Sequence, residues 1–89
     1  MKIFLSSPPP QNHTEAAIIK LAEQDITNAG HALVPIADAD MVVINTVGSM
    51  GNPPTAILAA AAAIRAGKPI IFGLDSLFEY CKNRSGESF

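Results

Sequence analysis

The chain has 89 residues, with 6 Lys and Arg against 8 Asp and Glu and a net charge of -2, so its length bounds it to a single domain over residues 1–89. A domain of this size buries only about 60–65% of its unfolded surface, which makes a second subunit an expected source of extra burial. No cluster of basic residues interleaved with aromatics occurs, which argues against a nucleic-acid partner, and Cys81 is the only cysteine, as expected of a reducing cytoplasm with no intrachain disulfide and no thiolate metal cluster.

Lys2 to Ser6 predicts a short buried strand, closed by Ser6-Ser7-Pro8-Pro9-Pro10. The serines and prolines interrupt the apolar start too early for a signal peptide. Asn12 caps the next helix, and Glu15 completes a capping-box pattern. Ile18, Ala22, Ile26 and Ala29 form its apolar stripe, and Gly30 ends it as a left-handed cap. His31 to Pro35 predicts a second strand, with Pro35 marking an edge or a stop. Only Ile36 to Ala39 follow before the next strand, too few residues for a helical crossover between parallel neighbours. Either these two strands do not pair in parallel, or a helix has been lost.

Asp40-Met41-Val42-Val43-Ile44-Asn45 and Lys68-Pro69-Ile70-Ile71-Phe72-Gly73 are continuous apolar runs separated by a glycine loop and a helix-length segment. Successive apolar positions fit strands covered by helices on both faces, so the whole reads as one βαβ unit. A right-handed crossover then puts the loop Thr46 to Pro54 at the carboxyl edge of a parallel sheet, where such sheets bind ligands. Asn52 is the expected cap of the helix, Pro53 its first residue and Gly67 its end. The helix Thr55 to Ala66 is apolar nearly all round. Its Ile57, Leu58, Ala61 and Ile64 side is expected to cover the sheet, and its Ala59, Ala60, Ala62 and Ala63 side a second chain, giving a homodimer or higher homo-oligomer. The competing explanation is that alanine tolerates exposure as a strong helix former. With Arg65 inside it and about half the length of a membrane span, the segment is not expected to enter a membrane. Asp75 or Ser76 starts a last helix through Leu77, Phe78 and Tyr80, and Arg84 to Ser88 is expected to fray. The fold class is α/β, a small parallel Rossmann-like or flavodoxin-like sheet of about four strands flanked by helices.

These residues resemble the nucleoside 2-deoxyribosyltransferase superfamily, which includes the 2'-deoxynucleoside 5'-phosphate N-hydrolases. The resemblance lies in the opening strand Met1 to Ser7, the run Ala39-Asp40-Met41-Val42-Val43, the loop Gly48-Ser49-Met50-Gly51 and the helix end Ala63-Ile64-Arg65-Ala66-Gly67-Lys68-Pro69. It implies a nucleotide or nucleotide-derived ligand. In the family, a helix glutamate two turns before Gly-Lys-Pro acts on the sugar C1', and Ala59 stands there in this chain. No acid occurs between Asp40 and Asp75 to replace it. Since an oxocarbenium-like state is stabilised by a carboxylate, the expected function is binding without turnover, to sequester a signalling nucleotide, as phage-encoded sponge proteins do, or to sense one. The alternative is a deoxyribosyltransferase or nucleotide N-glycosidic hydrolase that uses Asp40 or an acid from a neighbouring chain.

By the same resemblance, Ser6, Ser7, Ser49 and Gly51 match positions that hold phosphate or sugar oxygens. Loop amides, those of Gly48 among them, and the positive end of a helix attract anions on physical grounds as well. Thr55 adds a hydroxyl at that helix start, Asn45 stands where its strand meets the loop, and Pro8 belongs to a stiff loop at the rim. His13 is either a cover over the ligand or a surface residue, Asp75 either a helix cap or a ribose acceptor, and Lys68 a favourable charge at a helix end. Neither His13 nor His31 has a partner at metal-ligand spacing, so no metal is expected, and no cofactor. Arg84 and Ser76 are groups that a second chain could add to the pocket.

Overall fold

Four short runs of β-branched and aliphatic residues form one sheet in a computed structural model that describes residues 1–7, 9–45 and 53–87. The strands are β1 (Lys2–Ser6), β2 (Ala32–Leu33), β3 (Met41–Ile44) and β4 (Ile70–Phe72), and the helices are α1 (His13–Asn28), α2 (Pro53–Ala66) and α3 (Leu74–Glu87). All pairings are parallel, in the order β2-β1-β3-β4, which is the small α/β sheet the sequence predicts. Register is set by Ile3 opposite Met41 and Ser6 opposite Ile44, and by Val42 opposite Ile70.

Because β2 and β3 flank β1 on opposite sides, they never pair with each other. That resolves the short connection: no crossover helix is needed, and a single 3₁₀ turn, Ile36–Asp38, carries the chain past β1. Strand β2 is shorter than the His31 to Pro35 expected, because Pro35 already stands at the start of that turn.

Alternation along the strands sorts the core into two halves. Ile3, Met41 and Val43 face one side and close with Ile26 of α1 and Leu77 of α3. Val42 and Ile44 face the other and close with Ala63 of α2, flanked by Phe4, Ile36 and Ile70. Ile3, Ile26 and Leu77 are fully buried, each contributing about 1.5–3 kcal/mol of apolar burial.

Helix α2 is turned the opposite way to the sequence expectation. Ala56, Ala59, Ala60 and Ala63 pack toward the sheet, while Ile57, Leu58 and Ile64 are 65%, 71% and 71% exposed. The reason is bulk. The sheet face already presents Phe4, Val42, Ile44 and Ile70, and a helix seats closely on it only through side chains of one carbon. The expected alanine contact with a second chain is therefore corrected: of its four residues, Ala59, Ala60 and Ala63 are occupied by the chain's own sheet.

Helix α1 begins as expected, with Asn12 Oδ1 accepting from the Glu15 N–H at 2.8 Å, while the Glu15 carboxylate accepts from the Gln11 N–H at 3.1 Å and from Asn12 Nδ2 at 3.4 Å. Its apolar stripe is buried at Ala22 and Ile26, while Ala29 is exposed. Both α1 and α2 end in the same Schellman turn. Gly30 (φ 92°) donates to Thr27 and His31 to Ile26; Gly67 (φ 69°) donates to Ile64 and Lys68 to Ala63. Helix α3 continues to Glu87, so the fraying expected from Arg84 is corrected as well. Among the described residues no helix is long and apolar enough to cross a membrane.

Candidate functional site

In a parallel sheet the order of strands reverses direction at one point, and the two crossovers that leave it run to opposite faces. Here that point lies between β1 and β3, since α1 leads outward to β2 on one face and α2 outward to β4 on the other. The carboxyl ends there carry Ser6, the last residue of β1, Ser7 after it, and Asn45 immediately after β3.

Asn45 is the informative residue. It is 1% exposed, and a buried amide must find partners. Its backbone N–H donates to the Ser6 carbonyl at 2.8 Å, and its side-chain Nδ2 donates to Ser7 Oγ at 3.2 Å. The structure thus joins three of the sequence-predicted site residues into one polar cluster at the switch point. Pro8, Gly48, Ser49 and Gly51 lie outside the described residues, as does the side chain of Thr55.

All three helices start at this edge, so their positive ends converge on it. They are not equivalent. The start of α1 is occupied by the Asn12 and Glu15 side chains, and His13, its first residue, is exposed. Helix α2 opens with Pro53 and Pro54, neither of which carries an N–H, leaving Thr55 and Ala56 as its first backbone donors. Helix α3 follows a left-handed Gly73 (φ 86°) whose N–H donates to Ile44, and Asp75 adds a carboxylate to its first turn.

Charge is distributed unevenly along the strand direction. Lys2 begins β1, Arg65 ends α2, Lys68 precedes β4, and Lys82 and Arg84 stand in the second half of α3, all toward the amino edge. Lys20 is in the middle of α1. Among the described residues, the carboxyl edge carries no lysine or arginine.

Asp40 does not join the cluster. It precedes β3, so the five residue steps along that strand, about 17 Å, separate it from Asn45. There it is exposed, and its carboxylate accepts the Lys2 backbone N–H at 3.1 Å. Asp75 is at the correct edge and lines a groove of about 560 Å³ with Ser76, Glu79, Tyr80 and Asn83. A second groove, about 450 Å³, lies beside β2 between Leu33, Val34, Pro35, Phe4, Leu5 and Glu23. Ser6, Ser7 and Asn45 line neither. What the switch-point cluster offers chemically is an amide and hydroxyls, donors and acceptors suited to orienting a polar ligand.

One contact has no counterpart in the sequence reading. His31 and Cys81, 50 positions apart, approach at the amino edge. Their proximity follows from β2 pairing beside β1, an arrangement that the spacing of either residue does not reveal.

No family model matches the chain, and no curated protein or solved structure matches it either.

Proposed function

We propose that this protein binds a nucleotide or nucleotide-derived ligand at the carboxyl edge of the sheet, between β1 and β3, and does not turn it over. The observation that carries the reading is the buried Asn45 amide bonded to Ser7 at the switch point, a polar pair placed where a parallel sheet receives ligands. Binding without turnover rests on α2, whose described residues contain no acid and whose Ala59 packs toward the sheet. Asp40, the candidate of the catalytic alternative, belongs to the far edge.

The cation-free edge narrows the ligand class. With no lysine or arginine to neutralise phosphate, anion binding would fall to backbone amides, and two prolines at the start of α2 reduce their number. A nucleoside or a singly phosphorylated derivative therefore suits the site better than a triphosphate. The homo-oligomer belongs to the same proposal, with its contact moved to the Ile57, Leu58 and Ile64 side of α2.

The test is a thermal-shift panel of nucleosides and their mono-, di- and triphosphates, each incubation also chromatographed for free base. The expected result is stabilisation by a nucleoside or monophosphate, growing with the logarithm of ligand concentration, and no base released. Released base would restore the transferase or hydrolase alternative. No stabilisation by any member of the panel would overturn the ligand assignment.

A further inference from the structure

The two side edges of the sheet are closed to different degrees. Strand β2 has two residues and is followed by Pro35, whereas β4 offers three, and among the described residues no strand lies beyond it. The Pro69 carbonyl accepts from Val42 and the Gly73 N–H donates to Ile44, so residues 69, 71 and 73 turn their backbone groups toward β3. These groups alternate along a strand, which points the N–H and C=O of Ile70 and Phe72 outward as a template for another strand. Pro69 lacks its donor on the inward side only, so it does not blunt this edge.

The apolar surface beside the edge is uncovered as well. Ile70 faces α2 and Ile71 the opposite layer, so Phe72, two positions on from Ile70, returns to the α2 face, where it is 56% exposed. Helix α2 is seated over β3, β1 and the 3₁₀ turn rather than over β4. Its exposed Ile57 and Ile64 share one flank, about 100° round from the alanine seam, and in a right-handed crossover that flank turns toward β4. Helix α3 leaves the edge too, crossing the other face until Cys81 reaches His31 before β2.

We propose that β4 is a dimerisation edge, paired antiparallel with β4 of a second copy of the chain about a two-fold axis at Ile71. This rests on the homo-oligomer proposed above and assigns its contact surface. One register matches both outward residues: Ile70 stands opposite Phe72 of the second copy and Phe72 opposite its Ile70, each pair exchanging N–H···O=C bonds in both directions. Opposed residues of an antiparallel pair point to the same face, so both α2 helices lie on one side of a sheet with four strands from each copy. Phe72 and Ile70 of both chains fill the trough between these helices, and Ile57 and Ile64 wall it, which covers the apolar surface that a single chain exposes there. The same register sets Lys68 of each copy opposite Leu74 of the other and beside its Asp75, a pair of opposite charges at either end of the joined strands. An edge that complements itself in backbone, side chains and charge fits a second copy, the isologous arrangement of two-fold dimers.

The experiment measures the mass of the full chain by light scattering over a concentration series, with amide hydrogen exchange read residue by residue. Wild type should double its mass as concentration rises, and the Ile70 and Phe72 amides, open to water in a single chain, should become protected as the dimer forms. Phe72→Lys, at an exposed position, should keep the fold and weaken association about a hundredfold, because each copy loses a ring from the interface. Leu58→Lys, at an exposed position turned away from β4, should dimerise like wild type. Survival of the dimer in Phe72→Lys, its loss in Leu58→Lys, or free exchange of the Ile70 and Phe72 amides in the dimer would each overturn the edge pairing while leaving a helix-mediated oligomer in place. A single-chain mass at every concentration would overturn the oligomer with it. The exchange measurement on wild type depends on neither variant.

Discussion

Replacing Ala63 by Glu should strongly destabilise the protein, although the same change five residues earlier, at Leu58, should leave its stability nearly unchanged. Ala63 is 0% exposed and sits against Val42 and Ile44, themselves buried, in a cluster whose other members are Phe4, Ile36, Ile70 and neighbouring alanines. Glutamate adds a carboxymethyl group to a site with no free volume, costing about 1–3 kcal/mol in overpacking. Its carboxyl group would also lose water without a cation in that cluster, on the order of another 3–5 kcal/mol. A chain of 89 residues has a total stability of about 4–13 kcal/mol, so a combined penalty of about 4–8 kcal/mol takes roughly a third of it at the least and all of it at the most. At about 4–8 °C per kcal/mol, the melting point should fall by roughly 16 °C at least. Leu58, 71% exposed, should tolerate Glu within about 0.5 kcal/mol for the isolated chain. Urea unfolding followed by circular dichroism decides. If Ala63→Glu melts like wild type while Leu58→Glu unfolds, the helix is turned the other way and the close alanine seat is wrong.

Asn45→Ala should destabilise the fold by about 1–3 kcal/mol, since it strands Ser7 and empties a buried polar position, and it should abolish any ligand-induced shift; Ser7→Ala, at a half-buried site, should cost less in denaturant unfolding. His31 predicts a pH effect. Its folded pKa lies below the unfolded value of 6.5, so the unfolded chain binds more protons in that range and stability is complete above about pH 6.5 and declines as the pH falls. Melting points from about pH 8 down to 5 should show this decline in wild type and a smaller one in His31→Gln; identical slopes would sink the assignment.

The architecture was legible because the relevant signals are local. Two runs of successive apolar residues marked β3 and β4, and Gly30 and Gly67 marked helix ends with the positive φ that glycine adopts freely. The facing of α2 was not legible. When both sides of a helix are apolar, periodicity carries no direction, and the choice falls to the bulk of the opposing sheet face, which depends on strand order. For the same reason the gathering of Ser6, Ser7 and Asn45 at the carboxyl edge followed from topology, whereas the distance from Asp40 to that edge did not. A residue opening a strand and a residue closing it are neighbours in sequence and belong to opposite rims of the sheet.

The matching Schellman turns suggest how the molecule is put together. Strand, helix, glycine and strand recur in β1-α1-β2 and in β3-α2-β4, with helices of 16 and 14 residues, and the two arms are joined through one 3₁₀ turn. The sheet is therefore a tandem of like modules laid back to back, each carrying its helix on its own face. Ser7 and Asn45 hold corresponding places, each the residue just after the inner strand of its module. The Asn45–Ser7 hydrogen bond is a stitch across the seam. Anything seated over that seam would grip both modules at once, and its affinity would register how firmly they are held together.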